Sequence, residues 1–393
     1  MSMNTDVCFI GGGIACLYAA YKTLQANPKS RIAILEKNRR FGGRAHNAQF
    51  HGVEIPKGAG IGRFHKDRLL RNLMIELEIP INTYFGSNQA IGFERVDVMA
   101  IVEQLKKRAG EYDRSVFTFA KFARVELGAS LYRRFVASVG YTDFENADIF
   151  DTLYHYGFED TQGIKCFVVP WNLLVDRLIE KITEMGGNRV KMLTHVNVMS
   201  IQKTESGGEY IVSGSGPLQV ACKRVMVGTS ISTLRKLFKD VVVYRYINSQ
   251  PFLRVYGLID GNARFKEKIN QTTLVKNDLQ KIIPMRGDVF MIAYADNKKA
   301  LRLVNHAHDL AYMSKMLESV SGLNGVVVQD VHVKYWEEGT HYYLPLPEEF
   351  KSRKEFVRQC QNPKNGVKVI GEAVAMRYQG WTEGALESVH EVL

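Results

Sequence analysis

The sequence predicts an α/β fold, and three observations carry that prediction. An apolar run from Val7 to Ile10 breaks into Gly11, Gly12 and Gly13, a helical stretch over 14–24 follows, and a second apolar run from Ile32 ends on Glu36. This is one strand–helix–strand unit with an acid at the tip of its second strand. Glycines let the backbone approach a pyrophosphate, and the helix N-terminus offers unpaired N–H groups and a favourable dipole. An acid about 20 residues on can accept hydrogen bonds from ribose hydroxyls. Gly11, Gly13, Ile14 and Ala15 at the turn, with Glu36 and Lys37 at the second strand, are therefore candidate contacts of a Rossmann-type site. Cys16 stands where the third glycine of such a turn usually packs helix against strand. A turn that binds no phosphate would share this part of the pattern.

Next in order, Arg40, Gly42, Gly43 and Arg44 form a second glycine turn flanked by guanidinium groups. Arginine's planar fork suits a diphosphate. Near the other end, Val367 to Ile370 reads as a strand closing on Gly371 and Glu372, and Gly380, Trp381 and Thr382 lead into a Glu-Gly-Ala helix start. Taken together, these blocks resemble the flavin-dependent amine oxidases and their desaturase relatives, covering both chain ends in the family's order. The resemblance implies an FAD-binding domain built from 1–80, 165–240 and 360–393, interrupted by a mixed α+β substrate domain over 81–164 and 241–359. It also implies that Glu372 holds the ribityl chain, that N–H groups near Thr382 face the flavin pyrimidine, and that the Val196 backbone meets adenine. Gly58, Ala59, Gly60 and Ile61 resemble the segment beside the isoalloxazine edge, where small residues allow close approach.

The remaining elements follow from local patterning. A helix is expected over 173–185, strands over 189–193, 194–201, 210–213 and 220–227, and a return to the nucleotide-binding sheet over 225–229. The inserted parts read as helices over 96–109 and 115–139, strands over 253–259 and 289–294, and a helix over 309–319. No repeat or low-complexity segment interrupts them.

Composition narrows the function classes. The 393 residues carry 46% hydrophobic and 24% charged side chains, ordinary for a globular protein. No apolar run is long enough to span a bilayer. A core strand close to the first residue leaves no room for a signal peptide, and the chain lacks the anchoring tail of monoamine oxidases, so a soluble, intracellular and cytoplasmic protein is expected. The five cysteines have no metal-ligand spacing, in keeping with a reducing compartment. A net charge of +11 invites a nucleic-acid partner, but basic residues are scattered, and Lys106, Lys107 and Arg108 share their helix with acids. No specific nucleic-acid binding and no metal are expected, and the subunit count is left open.

Four residues are candidates for the reacting end. By the resemblance, Trp381 forms one wall of an aromatic slot for the amine, with His341 opposite it and Tyr342 as the alternative. A histidine there can act as an acid–base group or bind an anion, whereas the same segment can also be a packed loop around a hydrogen-bonded core histidine. Thr340 falls where monoamine oxidases carry the cysteine that bonds FAD, so noncovalent FAD is expected. Arg254 falls where many members place a lysine that holds a water beside flavin N5. It keeps the charge but cannot serve as a base. The expected activity is oxidation of a small-molecule amine by hydride transfer to flavin N5, giving an imine and, with oxygen, hydrogen peroxide. The alternatives are a desaturase- or isomerase-like flavoenzyme acting on a non-amine, and a non-catalytic flavin-binding protein.

Overall fold

The computed structural model describes residues 2–156, 158, 163–205, 208–259 and 261–393. The chain opens with β1 (Ser2–Ile10), α1 (Ile14–Ala26) and β2 (Ile32–Leu35). β1 ends in four fully buried residues and β2 is buried throughout, as expected of parallel strands covered on both faces. They form the centre of a seven-stranded sheet. β1 pairs in parallel with both Gln219–Val227 and β2, and β2 pairs in parallel with Val190–Leu193. The first half of Gln219–Val227 carries the antiparallel strands Tyr210–Gly214 and Val198–Lys203, while its last three residues pair with Val367–Val369. Segments from 1–80, 165–240 and 360–393 thus meet in one sheet.

One face of this sheet is covered by α1, Trp171–Gly186 and Thr382–Val392 around Leu17, Leu24, Leu178 and Leu386. The other face packs Leu234, Tyr244, Phe356 and Cys360 against Val225 and Val367. Truncating a fully buried leucine such as Leu17 to alanine costs about 2–5 kcal/mol in such a core.

A second, six-stranded sheet runs in the order Val328–Tyr343, Ile247–Ile259, Val289–Asp296, Lys281–Pro284, Thr272–Val275, Asn88–Ile91. A helical layer beside it contains Val98–Arg108, Phe119–Val139 and Ile149–His155, packed around Phe119, Phe122, Phe135 and Phe144. The long helix is interrupted at Gly128, whose φ of 70° is not helical.

Two sequence expectations shift. The strand expected over 194–201 begins only at Val198. His195 turns the chain with a φ of 58°, and the N–H groups of His195 and Val196 donate to the carbonyls of Asn38 and Glu36, tying the loop to the tip of β2. The strand expected over 253–259 extends back to Ile247, because it pairs along its length with Val328–Tyr343.

Candidate functional site

The C-terminal ends of β1, β2, Gln219–Val227 and Val367–Val369 open onto one cavity of about 450 Å³. This is the crevice where doubly wound sheets bind ligands. Gly11 has a φ of 101°, and a Cβ there would lie 2.4 Å from the Gly228 carbonyl oxygen, so only glycine fits. Gly13 is the N-cap of α1 with an ordinary φ of −74°, and a Cβ added to it would meet nothing within 4 Å. It would project into space that the fold leaves open beside a helix end without a side-chain cap or a first-turn acid. Gly42 and Gly43 press against this turn, the Gly42 N–H donating to the Gly12 carbonyl at 2.7 Å. Cys16 is fully buried under Gly228, and burial pushes its thiol up to about 12, so it is an inert packing group.

Glu36 borders the cavity from the tip of β2. Its carboxylate accepts the N–H of Gly12 and both the backbone and side-chain N–H of Asn38, each at 2.7 Å. Those bonds orient the oxygens and leave further lone-pair sites. Ile14, Ala15, Lys37 and Val196 also line the cavity. Arg40 does not. Its guanidinium donates to the carbonyls of Phe41 and Gly43, so it braces the second glycine turn rather than flanking an anion. Burial lowers its pKa from the ordinary value. Arg44 lines the cavity, but its Nη1 sits 2.7 Å from Glu372 and donates to the Gly339 carbonyl.

Beyond this end, Gly58, Ala59, Gly60 and Ile61 form one wall, with Gly371, Glu372, Trp381 and Thr382 also bordering the space. A Cβ at Gly58 would lie 2.1 Å from the Arg44 carbonyl oxygen, which fixes the close approach of these loops. Trp381 is the N-cap of Thr382–Val392, and the buried Arg63 guanidinium stacks 3.7 Å from its ring centroid. Arg63 in turn pairs with Asp67 at 2.7 Å. Neither residue belongs to a sequence motif, since Arg63 ends a two-residue strand and Asp67 is the N-cap of the helix Arg68–Glu76. Glu383, in the first turn of the last helix, caps a different helix by accepting the N–H groups of Leu69 and Leu70.

His341 and Tyr342 do not line this cavity and do not stand opposite Trp381. The strand's alternation puts Thr340 at the cavity and turns His341 behind it, 3% exposed. There Nε2 accepts the Ile231 N–H at 3.2 Å, which leaves the ring proton on Nδ1 to be donated to Glu372. Glu372 also accepts the Gly380 N–H at 2.9 Å. Burial alone would raise the Glu372 carboxyl, but His341 and Arg44 hold it well below the usual carboxylate range. His341 is therefore a satisfied core group that positions Glu372.

Arg254, Phe252, Tyr294, Tyr141 and Trp336 also line the cavity. Arg254 is 5% exposed, donating to the Pro56 carbonyl at 2.9 Å and the Tyr294 hydroxyl at 3.4 Å. Burial opposes its charge, but Tyr294 and Tyr256 raise its pKa above the ordinary value. These walls come from distant segments, so no local pattern announced them.

A family model for the NAD(P)-binding Rossmann-like domain matches residues 10–76, the strand–helix–strand unit and the second glycine turn. No curated protein matches the chain in sequence. Among solved structures, putrescine oxidase with bound putrescine aligns over 100% of this chain and 98% of its own at 13% identity, with a TM-score of 0.77. Cyclohexylamine oxidase from Brevibacterium oxydans aligns over 98% and 97% at 13% identity, with a TM-score of 0.75. The chain shares the fold of these two amine oxidases. A protein from Exiguobacterium sp. assigned as a protoporphyrinogen oxidase shares it, at 14% identity over 98% and 97% of the two chains and a TM-score of 0.71. Within the amine oxidase fold, Asn38, Arg63 and Asp67 are the supporting residues that the sequence reading passed over. Among the described residues, no helix is long and apolar enough to cross a membrane.

Proposed function

We propose that the chain is an FAD-dependent oxidoreductase that oxidises a small-molecule amine, with oxygen as electron acceptor. The observation that carries this reading is a single cavity joining an uncapped helix N-terminus and Glu36 at one end to Trp381, Tyr294 and Arg254 at the other. The residues fit FAD: Gly13 leaves open the volume a diphosphate needs, and the N–H groups of α1 face it. Glu36 would hold the adenosine ribose, Val196 the adenine, and Glu372 the ribityl chain. Gly58 to Ile61 and Thr382 would hold the ring system. Thr340 offers a hydroxyl rather than a thiol at the cavity wall, which supports noncovalent binding.

Bound FAD would supply a two-electron acceptor, taking the α-carbon hydride at N5 and passing the electrons to oxygen as hydrogen peroxide. The chain's own work is orientation and exclusion of water. Arg63 fixes the plane of Trp381 from behind, and aromatic walls offer a dry surface for a neutral amine. Arg254 remains protonated and removes no proton, so the amine must arrive neutral and the imine is hydrolysed by water.

A second reading, oxidation of a non-amine, is favoured by Arg254 standing in place of lysine and by the likeness to a protein assigned as a protoporphyrinogen oxidase. The test is the visible spectrum of the purified protein, taken anaerobically before and after mixing with a panel of amines. A flavin band that bleaches with one amine class is the expected result. A colourless protein that binds no added FAD overturns the cofactor, and a band that no amine bleaches overturns the substrate.

A further inference from the structure

Arg254 raises a question that the amine reading alone does not answer: what balances a buried cation in the substrate end of the cavity. Its polar partners are uncharged, the Pro56 carbonyl and the Tyr294 and Tyr256 phenols, with the Tyr294 ring 4.7 Å away. Among the described residues, no Asp or Glu lies within 4.0 Å of the guanidinium. Burying an unpaired charge is costly, and a protein keeps such a group where a ligand completes the pair. Nη1 and Nη2 each spend one N–H, on the Pro56 carbonyl and the Tyr294 phenol, which fixes the guanidinium at the cavity wall and leaves each terminal nitrogen a second N–H for a carboxylate.

A second observation lies on the far side of Tyr141. This residue is a shared wall between the main cavity and a cleft of about 700 Å³. Arg124, Arg133, Arg134, Lys276 and Lys299 line that cleft, against Glu145 alone. Arg124 lies 3.6 Å from Glu145, Arg134 pairs with Glu94, and Lys299 donates to two backbone carbonyls. The balance is still strongly positive. Such a cleft concentrates anions and repels cations, more so at low ionic strength. Lys281, whose ammonium lies 3.5 Å over the Tyr141 ring, extends the same sign toward the cavity.

We propose that the substrate carries a carboxylate that pairs with Arg254, making it an α-amino acid or a similar amino acid rather than a cationic mono- or polyamine. This rests on the amine-oxidising reading of the same cavity. It deepens that reading by assigning Arg254 to substrate recognition.

The experiment has two arms. In the first, the oxidised holoprotein is titrated with benzoate by calorimetry, for wild type, Arg254→Gln and Arg254→Lys. Losing a charge-assisted, two-point contact should weaken benzoate binding at least ~10-fold in Arg254→Gln, with Arg254→Lys in between. Circular dichroism and retained flavin confirm that the variants are folded. In the second arm, wild-type flavin bleaching is compared for matched pairs, L-phenylalanine with phenethylamine and L-lysine with cadaverine. The amino acid of a pair should bleach the flavin at least ~10-fold faster, and more so at low salt.

No benzoate binding to wild type, or equal binding in Arg254→Gln, overturns the assignment, as does faster bleaching by the decarboxylated partner. A protein that binds benzoate through Arg254 but is reduced by neither member of either pair retains the carboxylate site while the amine-oxidising reading fails. The two failures are thus distinguishable.

Discussion

Gly11 and Gly13 sit two residues apart in the same turn, yet alanine should affect them in opposite ways. At Gly11 the φ of 101° strains any side chain, costing about 1–3 kcal/mol. The new Cβ would also fall 2.4 Å from the Gly228 carbonyl oxygen, a backbone atom that cannot swing aside, adding about 1–3 kcal/mol of overpacking. Gly11→Ala should therefore lose roughly 2–5 kcal/mol of stability with or without FAD. Gly13→Ala meets no atom within 4 Å and needs no unusual φ. Alanine is a poorer N-cap than glycine but costs the unfolded chain entropy, so the net change without cofactor should stay within about 1 kcal/mol. Its methyl instead fills the space a diphosphate needs. Denaturant unfolding with and without added FAD reads both effects. At a free FAD concentration 100 times Kd the wild type gains about 2.7 kcal/mol, and a tenfold weaker Gly13→Ala gains only about 1.4 kcal/mol. If Gly13→Ala keeps the full FAD-dependent gain, no diphosphate passes over this turn and the cofactor argument fails.

Three further predictions follow from the same geometry. Glu36→Ala frees the N–H groups of Gly12 and Asn38 and should weaken FAD at least ~10-fold in a fluorescence titration. Unchanged affinity would show that the acid is only a loop brace. Glu372 has a folded-state pKa held below its ordinary 4.5, so the folded chain binds fewer protons than the unfolded one. The stability this contributes is present above pH 4.5 and is lost as pH falls through the folded value. Urea midpoints should therefore drop on acidification below 4.5, and Glu372→Gln should flatten that limb while lowering the midpoint at pH 7. Arg254→Lys, which places a compact ammonium at this position, should speed reoxidation of reduced flavin by oxygen. An unaltered rate in stopped-flow mixing would separate this position from oxygen chemistry.

The nucleotide half of the cavity was legible because its requirements are local. Gly11 is fixed by one φ and one carbonyl, and Glu36 by partners at Gly12 and Asn38, so a few adjacent letters encode the whole device. The strands of the first sheet and the longer helices were legible for the same reason, since each is a continuous run of one period. Of the second sheet only the runs over 253–259 and 289–294 were legible, and its edge strand Val328–Tyr343 was not. The other half is lined by Tyr141, Phe252, Tyr294 and Trp336, which meet only through tertiary packing. His341 shows how a one-residue question of facing defeats a reading by alignment. The pairing of its strand with Ile247–Ile259 shifts between Gln250 and Phe252, and successive side chains point to opposite faces. The side that holds Thr340 at the cavity sends His341 behind it.

That displacement gives His341 a different kind of influence. Its ring is closed at both nitrogens, by the Ile231 N–H and by Glu372. The imidazole thus serves to orient the Glu372 carboxylate from behind the cavity wall. Glu372 is shared among His341, Arg44 and the Gly380 N–H, three elements that must all be folded before the carboxylate points correctly. The Gly380 turn leads directly into Trp381, and the Arg44 side chain reaches Gly339 beside Thr340. One buried acid therefore couples the second glycine turn, the strand carrying Thr340 and the start of the last helix. The two halves of the cavity are positioned through Glu372, which makes it the residue whose loss should disturb cofactor and substrate ends together.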